Sequence, residues 1–136
     1  MKEISHDAVV RVRYAETDKM GIVNNGSYLT YFEVGRTELM RHFGFSYPDF
    51  EISGFQLPVI EALVNYKNPA YYDDVLTIRT CLTFELKPTI TYKYNILRNE
   101  TIIAKGHTVH SYMSAETKHA VRPPKFFIDA LIKLFK

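Results

Sequence analysis

The sequence predicts an α+β fold in which one long helix packs against a curved antiparallel sheet and a short C-terminal helix closes the chain. Three observations carry this. Tyr28, Phe32, Gly35, Leu39 and Phe43 recur at spacings of three and four, one face of a helix. From Pro58 to Met113 the apolar residues recur instead at every second position, in run after run. Pro123-Pro124 then opens a last amphipathic stretch.

Ala8 to Tyr14 alternates, with Val10, Val12 and Tyr14 on one face and Arg11 and Arg13 on the other, which predicts a half-buried strand. A polar loop follows, holding the lone carboxylate of Asp18 with Gly21 three residues on. Asn24 or Asn25 is placed to cap the long helix through its short side chain. Gly44, just past the last apolar residue, suits a left-handed C-cap. Phe45 to Ser53 is interrupted by Pro48 and reads as an irregular segment wrapping back over the helix end.

Ile60, Ala62, Val64 and Tyr66 form the first alternating run of the strand region. Asn68-Pro69 and Asp73-Asp74 mark a connection to Leu76, Ile78, Leu82 and Phe84. Lys87-Pro88 turns the chain into Ile90, Tyr92, Tyr94 and Ile96, and Asn99-Glu100 is a hairpin turn. Thr101 to Met113 is a longer strand, fairly apolar on both faces, with Gly106 a candidate bulge. A short strand after Thr117-Lys118 is expected to reach Arg122. Phe127, Leu131 and Leu134 are spaced for burial on the last helix.

Residues 1–136 read as one domain. Apolar residues at 46% and charged residues at 24% are ordinary for a globular chain. A net charge of +2, with basic residues scattered, gives no footprint for nucleic acid. The start, MKEISHDAVV, has no apolar signal region and no apolar run is long enough to insert in a membrane, so a cytoplasmic protein is expected. The single cysteine, Cys81, sits in a strand-like run and reads as half-buried and structural. The five histidines lack metal-ligand spacing; His107 and His110, three apart on a strand, face opposite ways. No metal and no bound cofactor are expected.

By residue chemistry alone a lone aspartate before a helix is a turn former or cap more often than a catalyst. Yet an acid beside a helix N-terminus is chemically useful, because the helix supplies N–H donors and partial positive charge. The residues around Asp18 carry a resemblance that decides between these readings. Tyr14-Ala15-Glu16-Thr17-Asp18, Gly21-Ile22-Val23, Tyr28-Leu29, Tyr31-Phe32-Glu33 and Gly35-Arg36-Thr37-Glu38 come in this order. Tyr66 to Pro69, Asp73-Asp74 and Arg122-Pro123-Pro124 follow. The chain resembles the hotdog-fold thioesterases of the 4-hydroxybenzoyl-CoA thioesterase type over nearly its whole length.

The resemblance implies an acyl-CoA thioester hydrolase that releases a carboxylic acid and coenzyme A. Asp18 matches the family's catalytic aspartate, as nucleophile or as general base. Asn25 matches the position whose backbone N–H polarises the thioester carbonyl, with Gly26 beside it. Many relatives carry His or Tyr where this chain has Asn25, so a side-chain role there does not carry over. Gly21, Val23 and Tyr28 are placed at the substrate. Arg122, with Lys118 and Lys125, either meets the phosphates of coenzyme A or is part of a solvated basic face. Another branch of the fold places its acid on the helix, which makes Glu33 the second-choice acid; its bland account is a surface pair with Arg36. Glu61 reads as structural or interfacial.

The resemblance also implies a homodimer joined through sheet edges, and a homotetramer of such dimers. Two other functions remain open: a thioesterase acting on acyl carrier protein, and an acyl-binding oligomer without turnover. A dehydratase fits less well, because that chemistry pairs a His with an acid and residues 14 to 28 contain no His.

Overall fold

The computed structural model describes residues 2–135. In chain order the elements are β1 (Lys2–Arg11), α1 (Ser27–His42), α2 (Tyr47–Ile52), β2 (Phe55–Gln56), β3 (Val59–Tyr66), β4 (Val75–Phe84), β5 (Thr89–Arg98), β6 (Thr101–Ser111), β7 (Met113–Ser114) and α3 (Lys125–Leu134). Five strands form one antiparallel sheet in the order β1-β4-β5-β6-β3. A separate two-stranded piece pairs β2 with β7. Helix α1 touches β1 and β3, the two edge strands, as well as β4 and β5 between them, so the sheet wraps the helix. This is the hotdog arrangement.

The inner face of the sheet is the face of the period-two pattern. Leu76, Ile78 and Leu82 of β4 and Tyr92, Tyr94 and Ile96 of β5 are buried, and Ile78 stands opposite Ile96 in register. From α1, Tyr28, Tyr31, Phe32, Gly35, Leu39 and Met40 are buried against it. The Phe32 ring stacks on Tyr94 with centroids 4.1 Å apart and planes 5° from parallel. Gly44 ends α1 as expected: its N–H donates to Arg41 O and that of Phe45 to Met40 O, at 3.1 and 2.8 Å, a Schellman closure.

Several expectations are corrected. The first strand begins at Lys2 and stops at Arg11, short of Tyr14. It stops because the Glu16 carboxylate accepts from the Arg13 N–H at 2.9 Å and tightens Tyr14–Glu16 into a 3₁₀ turn, which leaves Tyr14 exposed. The segment around Pro48 is helical: Ser46 caps α2 by accepting from the Asp49 N–H, and Pro48 falls in the first turn, where proline is tolerated. Gly106 is not a bulge; it stands in register opposite both Tyr94 and Val64. A Cβ there would lie 2.0 Å from Leu63 O and 3.0 Å from the Phe32 ring, so the glycine makes room for strand β3 and the helix. The irregular pairings lie at Ile96/Leu97 and Val59/Glu61 instead. The segment before Arg122 forms a single bridge, Met113 to Ala120, and no strand. On α3, Phe127 and Leu131 are buried but Leu134 is exposed. Strand β6 is covered on one face within a single chain, with Ile102 exposed on the other.

One polar chain runs through the core. The Leu57 carbonyl can only accept, so His110 Nδ1, 3.0 Å away, is the donor. Burial holds the imidazole neutral, with its pKa lowered to about 4. Nε2 therefore accepts from the Thr108 hydroxyl at 2.8 Å, and that hydroxyl accepts from Tyr94 at 2.6 Å. Every member is satisfied, which is the condition for a tolerable buried network.

Candidate active site

Asp18 sits at the tip of a small hairpin. Its N–H donates to Ile22 O at 2.9 Å, and the Gly21 N–H donates to Asp18 O at 3.0 Å. This is a three-residue loop of Lys19, Met20 and Gly21, closed by the glycine at φ +80°. The hairpin continues as Thr17 bridging Val23, with the Asn24 N–H on Glu16 O at 2.9 Å. Glu16-Thr17-Asp18 and Ile22-Val23-Asn24 thus lie side by side and lead directly into α1.

The carboxylate has two different oxygens. Oδ1 accepts from the Met20 N–H at 2.8 Å and holds the turn. Oδ2 has no partner among the described residues, and Asp18 is exposed in a hollow shared with Tyr14, Thr17 and Lys19. The turn-forming role is real, and it leaves one oxygen for chemistry.

The start of α1 is held by Asn24, whose Oδ1 accepts from the Ser27 N–H at 3.0 Å and the Ser27 hydroxyl at 3.2 Å. Asn25 does not cap; Gly26 occupies the N-cap position without a side-chain bond. The amides of Asn25 and Gly26 make no bond among the described residues, as befits groups ahead of the helical ladder. Asn25 lines a second hollow with Ile22, Val23, Tyr28, Tyr66 and Pro69. Val23 and Tyr28 are buried and form its inner wall. Tyr66 reaches across from β3 and donates to Asn25 O at 3.2 Å. Asp18 and the helix start therefore line different hollows of one chain, joined through the short hairpin ladder.

Glu16 and Tyr31 are the site residues that the sequence reading missed. The Tyr31 hydroxyl donates to Glu16 Oε1 at 2.8 Å, and the Arg13 guanidinium donates to Oε2 at 3.0 Å. Burial pushes the Glu16 pKa up, but the Arg13 amide, Tyr31 and the Arg13 guanidinium outweigh it and leave it lowered. Tyr31 is shifted upward, first by burial and then by its bond to Glu16. Tyr31 falls three residues after Tyr28 and four before Gly35, which places it beside the buried stripe of the helix.

The remaining candidates lie apart. Glu33 lines another hollow with Arg36, between α1 and β3. Arg122 is exposed ahead of α3 and lines neither the Asp18 nor the Asn25 hollow. Glu61 is bonded to His107 at 2.8 Å on the outer face, while His110 is buried, the opposite orientations expected of the two histidines. Burial first, and Glu3 second, push the Cys81 thiol up to about 12, which keeps it in the protonated, weakly reactive form at neutral pH. Among the described residues no group of three His, Cys, Asp or Glu side chains could hold a metal. No described helix is long and apolar enough to cross a membrane.

Comparison with known proteins identifies the family and the fold. The profile of the thioesterase-like superfamily matches residues 12–131. YneP of Bacillus subtilis strain 168, provisionally named an acyl-CoA thioesterase, is 45% identical over 88% of each chain. The acyl-CoA thioester hydrolase YbgC of Escherichia coli O157:H7 is 33% identical over 69% of this chain and 70% of its own. The crystal structure of DHNA-CoA thioesterase from Staphylococcus aureus superposes with a TM-score of 0.89 at 32% identity, covering 96% of this chain and 91% of that one.

Proposed function

The chain belongs to the thioesterase-like superfamily and is a thioester hydrolase, and we propose that Asp18 is its catalytic carboxylate and the start of α1 its carbonyl-polarising group. The substrate class is acyl-CoA, in keeping with the names of its relatives. The observation that carries the site is the hairpin ladder. It ties an acid with one uncommitted oxygen, at its turn, to a helix start with two uncommitted amides, at its other end, and we infer that one bound thioester spans the two hollows.

Asp18 Oδ2 has two routes. As a nucleophile it attacks the thioester carbon, expels the coenzyme A thiolate and forms a mixed anhydride that water then opens. As a general base it takes a proton from the attacking water. In both, charge gathers on the carbonyl oxygen, and the amides of Asn25 and Gly26 are the donors that receive it. Thiolate is a good leaving group, so no acid is required at sulfur. A single turnover in heavy-oxygen water labels the Asp18 carboxylate when water opens the anhydride at the aspartyl carbon, so label on Asp18 identifies the nucleophilic route; trapping of an acylated Asp18 by hydroxylamine tests for the anhydride when water opens it at the acyl carbon.

The working assembly is a homodimer. Strand β3 is an edge strand, and Val59, Ile60, Leu63 and Tyr66 on it are exposed in the single chain. Pairing two such edges covers them and brings elements of both protomers to the hollows near Asn25. Pairing of two dimers gives the tetramer.

The decisive experiment is a thiol-release screen over short, long, branched and aromatic acyl-CoAs, with the same acyl groups on acyl carrier protein in parallel. Release from coenzyme A above the carrier-protein rate is expected. No release from any member of either set would sink the activity; faster release from the carrier protein would reassign the carrier.

A further inference from the structure

Asn24, Asn25, Gly26 and Ser27 form a β-turn at the entry to α1, closed by the Ser27 N–H on Asn24 O at 3.1 Å. Gly26 is its third residue and stands at φ −68° and ψ −26°, and Asn25 is not among the residues with positive φ, so the turn is type I. A type I turn becomes type II by one movement, a flip of the central peptide that drives the third residue to positive φ. Most residues resist that conformation. Glycine does not, so this turn has a second form within easy reach.

The peptide that flips is the one between Asn25 and Gly26. It is planar and trans, so its C=O and its N–H point opposite ways and turn together. The flip would put the Asn25 carbonyl oxygen where the Gly26 N–H had pointed. For a donor that receives negative charge from a thioester oxygen, the exchange turns attraction into repulsion.

The Asn24 side chain accepts from the Ser27 N–H and hydroxyl, which braces the ends of the turn but does not touch its central peptide. Tyr66 does touch it: its hydroxyl donates to Asn25 O at 3.2 Å. Tyr66 is itself held in the sheet. Its backbone pairs with Ala104 at the end of β3, and just beyond it the Lys67 N–H donates to Ile103 O at 2.9 Å. Its ring meets the Tyr28 ring edge-on, with centroids 5.3 Å apart. The carbonyl is thus held from a point outside the turn. A bond at the carbonyl also polarises the peptide and strengthens its N–H as a donor.

We propose that Tyr66 is a positioning residue for the reaction: its hydroxyl locks the Asn25–Gly26 peptide in the orientation that offers the Gly26 N–H to the thioester oxygen. That this N–H serves the thioester rests on the thioesterase reading above; the lock on the peptide does not.

The test uses Tyr66→Phe, which keeps the ring and removes the hydroxyl, and Gly26→Ala. A Cβ at Gly26 would meet only Asn24 Oδ1 at 3.5 Å, an ordinary contact, so alanine fits the type I turn while opposing the positive φ of type II. The first readout needs no substrate. In enzyme labelled with 15N-glycine, the Gly26 signal, identified by its absence from Gly26→Ala, is expected to be single in wild type and displaced or broadened by exchange in Tyr66→Phe. The second is hydrolysis of octanoyl-CoA. Tyr66→Phe is expected to lower kcat roughly three- to tenfold, the scale of one neutral hydrogen bond, with KM nearly unchanged. In the Gly26→Ala background the same Tyr66→Phe step is expected to cost much less, because the flipped form is closed. An unmoved Gly26 signal overturns the lock. An unchanged kcat, a loss in KM instead, or a penalty of full size in the alanine background overturns its part in the reaction. A Gly26 signal that responds as expected in an enzyme that hydrolyses no acyl-CoA supports the lock and defeats the thioesterase reading instead.

Discussion

The hydroxyl of Tyr31 on α1 donates to Glu16 Oε1 at 2.8 Å, and this bond fastens the Asp18 hairpin to the helix it precedes. Glu16 is the common anchor. Its carboxylate also accepts from the Arg13 amide and guanidinium, and its carbonyl accepts from the Asn24 N–H and side-chain amide. The Asp18 hairpin and the helix start are therefore set relative to each other by Glu16, whose carboxylate and carbonyl are both committed to hydrogen bonds.

Tyr31→Phe removes that fastening while keeping the ring. A hydrogen bond to a charged group is worth about 1.5–3 kcal/mol, so the urea midpoint should drop by a corresponding amount. Turnover should fall with it, and KM should change less. A variant with wild-type stability and wild-type turnover would show that the bond positions nothing.

Asp18→Asn keeps the Oδ1 acceptor that holds Met20 N–H, so the hairpin and the fold should persist. It removes the charge. Loss of a general base alone is worth roughly a hundred- to ten-thousandfold, and kcat should collapse by at least that with KM nearly unchanged. Glu33→Gln, assayed in parallel on an unsubstituted acyl-CoA, should cost far less. The reverse pattern would move the chemistry to the helix carboxylate.

Asn25→Ala leaves the backbone donor in place and should retain most activity. Asn25→Pro removes it, and losing one such donor costs about a hundred- to a thousandfold in rate. Circular dichroism must show both variants folded. Equal rates for the two would take the Asn25 amide out of the mechanism.

His110 makes stability depend on pH in a stated direction. Its folded pKa is lowered from 6.5 to about 4, chiefly by burial, so between those values the unfolded chain binds the extra proton. Stability from this group is intact above pH 6.5 and is lost as pH falls toward 4, by about 3 kcal/mol at 1.36 kcal/mol per unit. Urea titrations at pH 7 and pH 5 should show that loss in part, and His110→Asn should flatten it. An unchanged pH slope in that variant would mean the acid sensitivity lies elsewhere.

Light scattering should find a dimer or tetramer at micromolar concentration. A stable monomer would defeat the edge pairing proposed for β3. Leu63→Lys on that strand should shift the population toward monomer.

The strands were legible because burial on one face imposes period two. Leu76 to Leu82 and Ile90 to Ile96 could hardly be read another way. The first strand was cut short because His6 and Ala8 are weak markers of its inner face. Helix α2 was hidden by Pro48, read as a breaker although Ser46 was in place to cap. Gly106 showed that something was unusual but not what, since its reason is the Phe32 ring, far away in sequence. Asp18 stood out as a carboxylate in a loop before a helix. Glu16 did not, because what distinguishes it is the hydroxyl of Tyr31 fifteen residues on.

The sheet order has a consequence for how the chain is made. Ala8 of β1 pairs with Ile78 of β4, a separation of 78 − 8 = 70 residues, whereas β4, β5 and β6 follow one another through short turns. At a synthesis rate of about 5–20 residues per second, β1 leaves the ribosome several seconds before its partner exists. During that interval Ile4, Ala8 and Val12 have no sheet to join, and closing so long a loop is slow even for the finished chain. The β4–β6 meander is thus expected to form first and to serve as the template on which the N-terminus arrives last. Pulsed hydrogen exchange during refolding would show it as late protection of the β1 amides; protection of β1 in step with β5 would exclude that order.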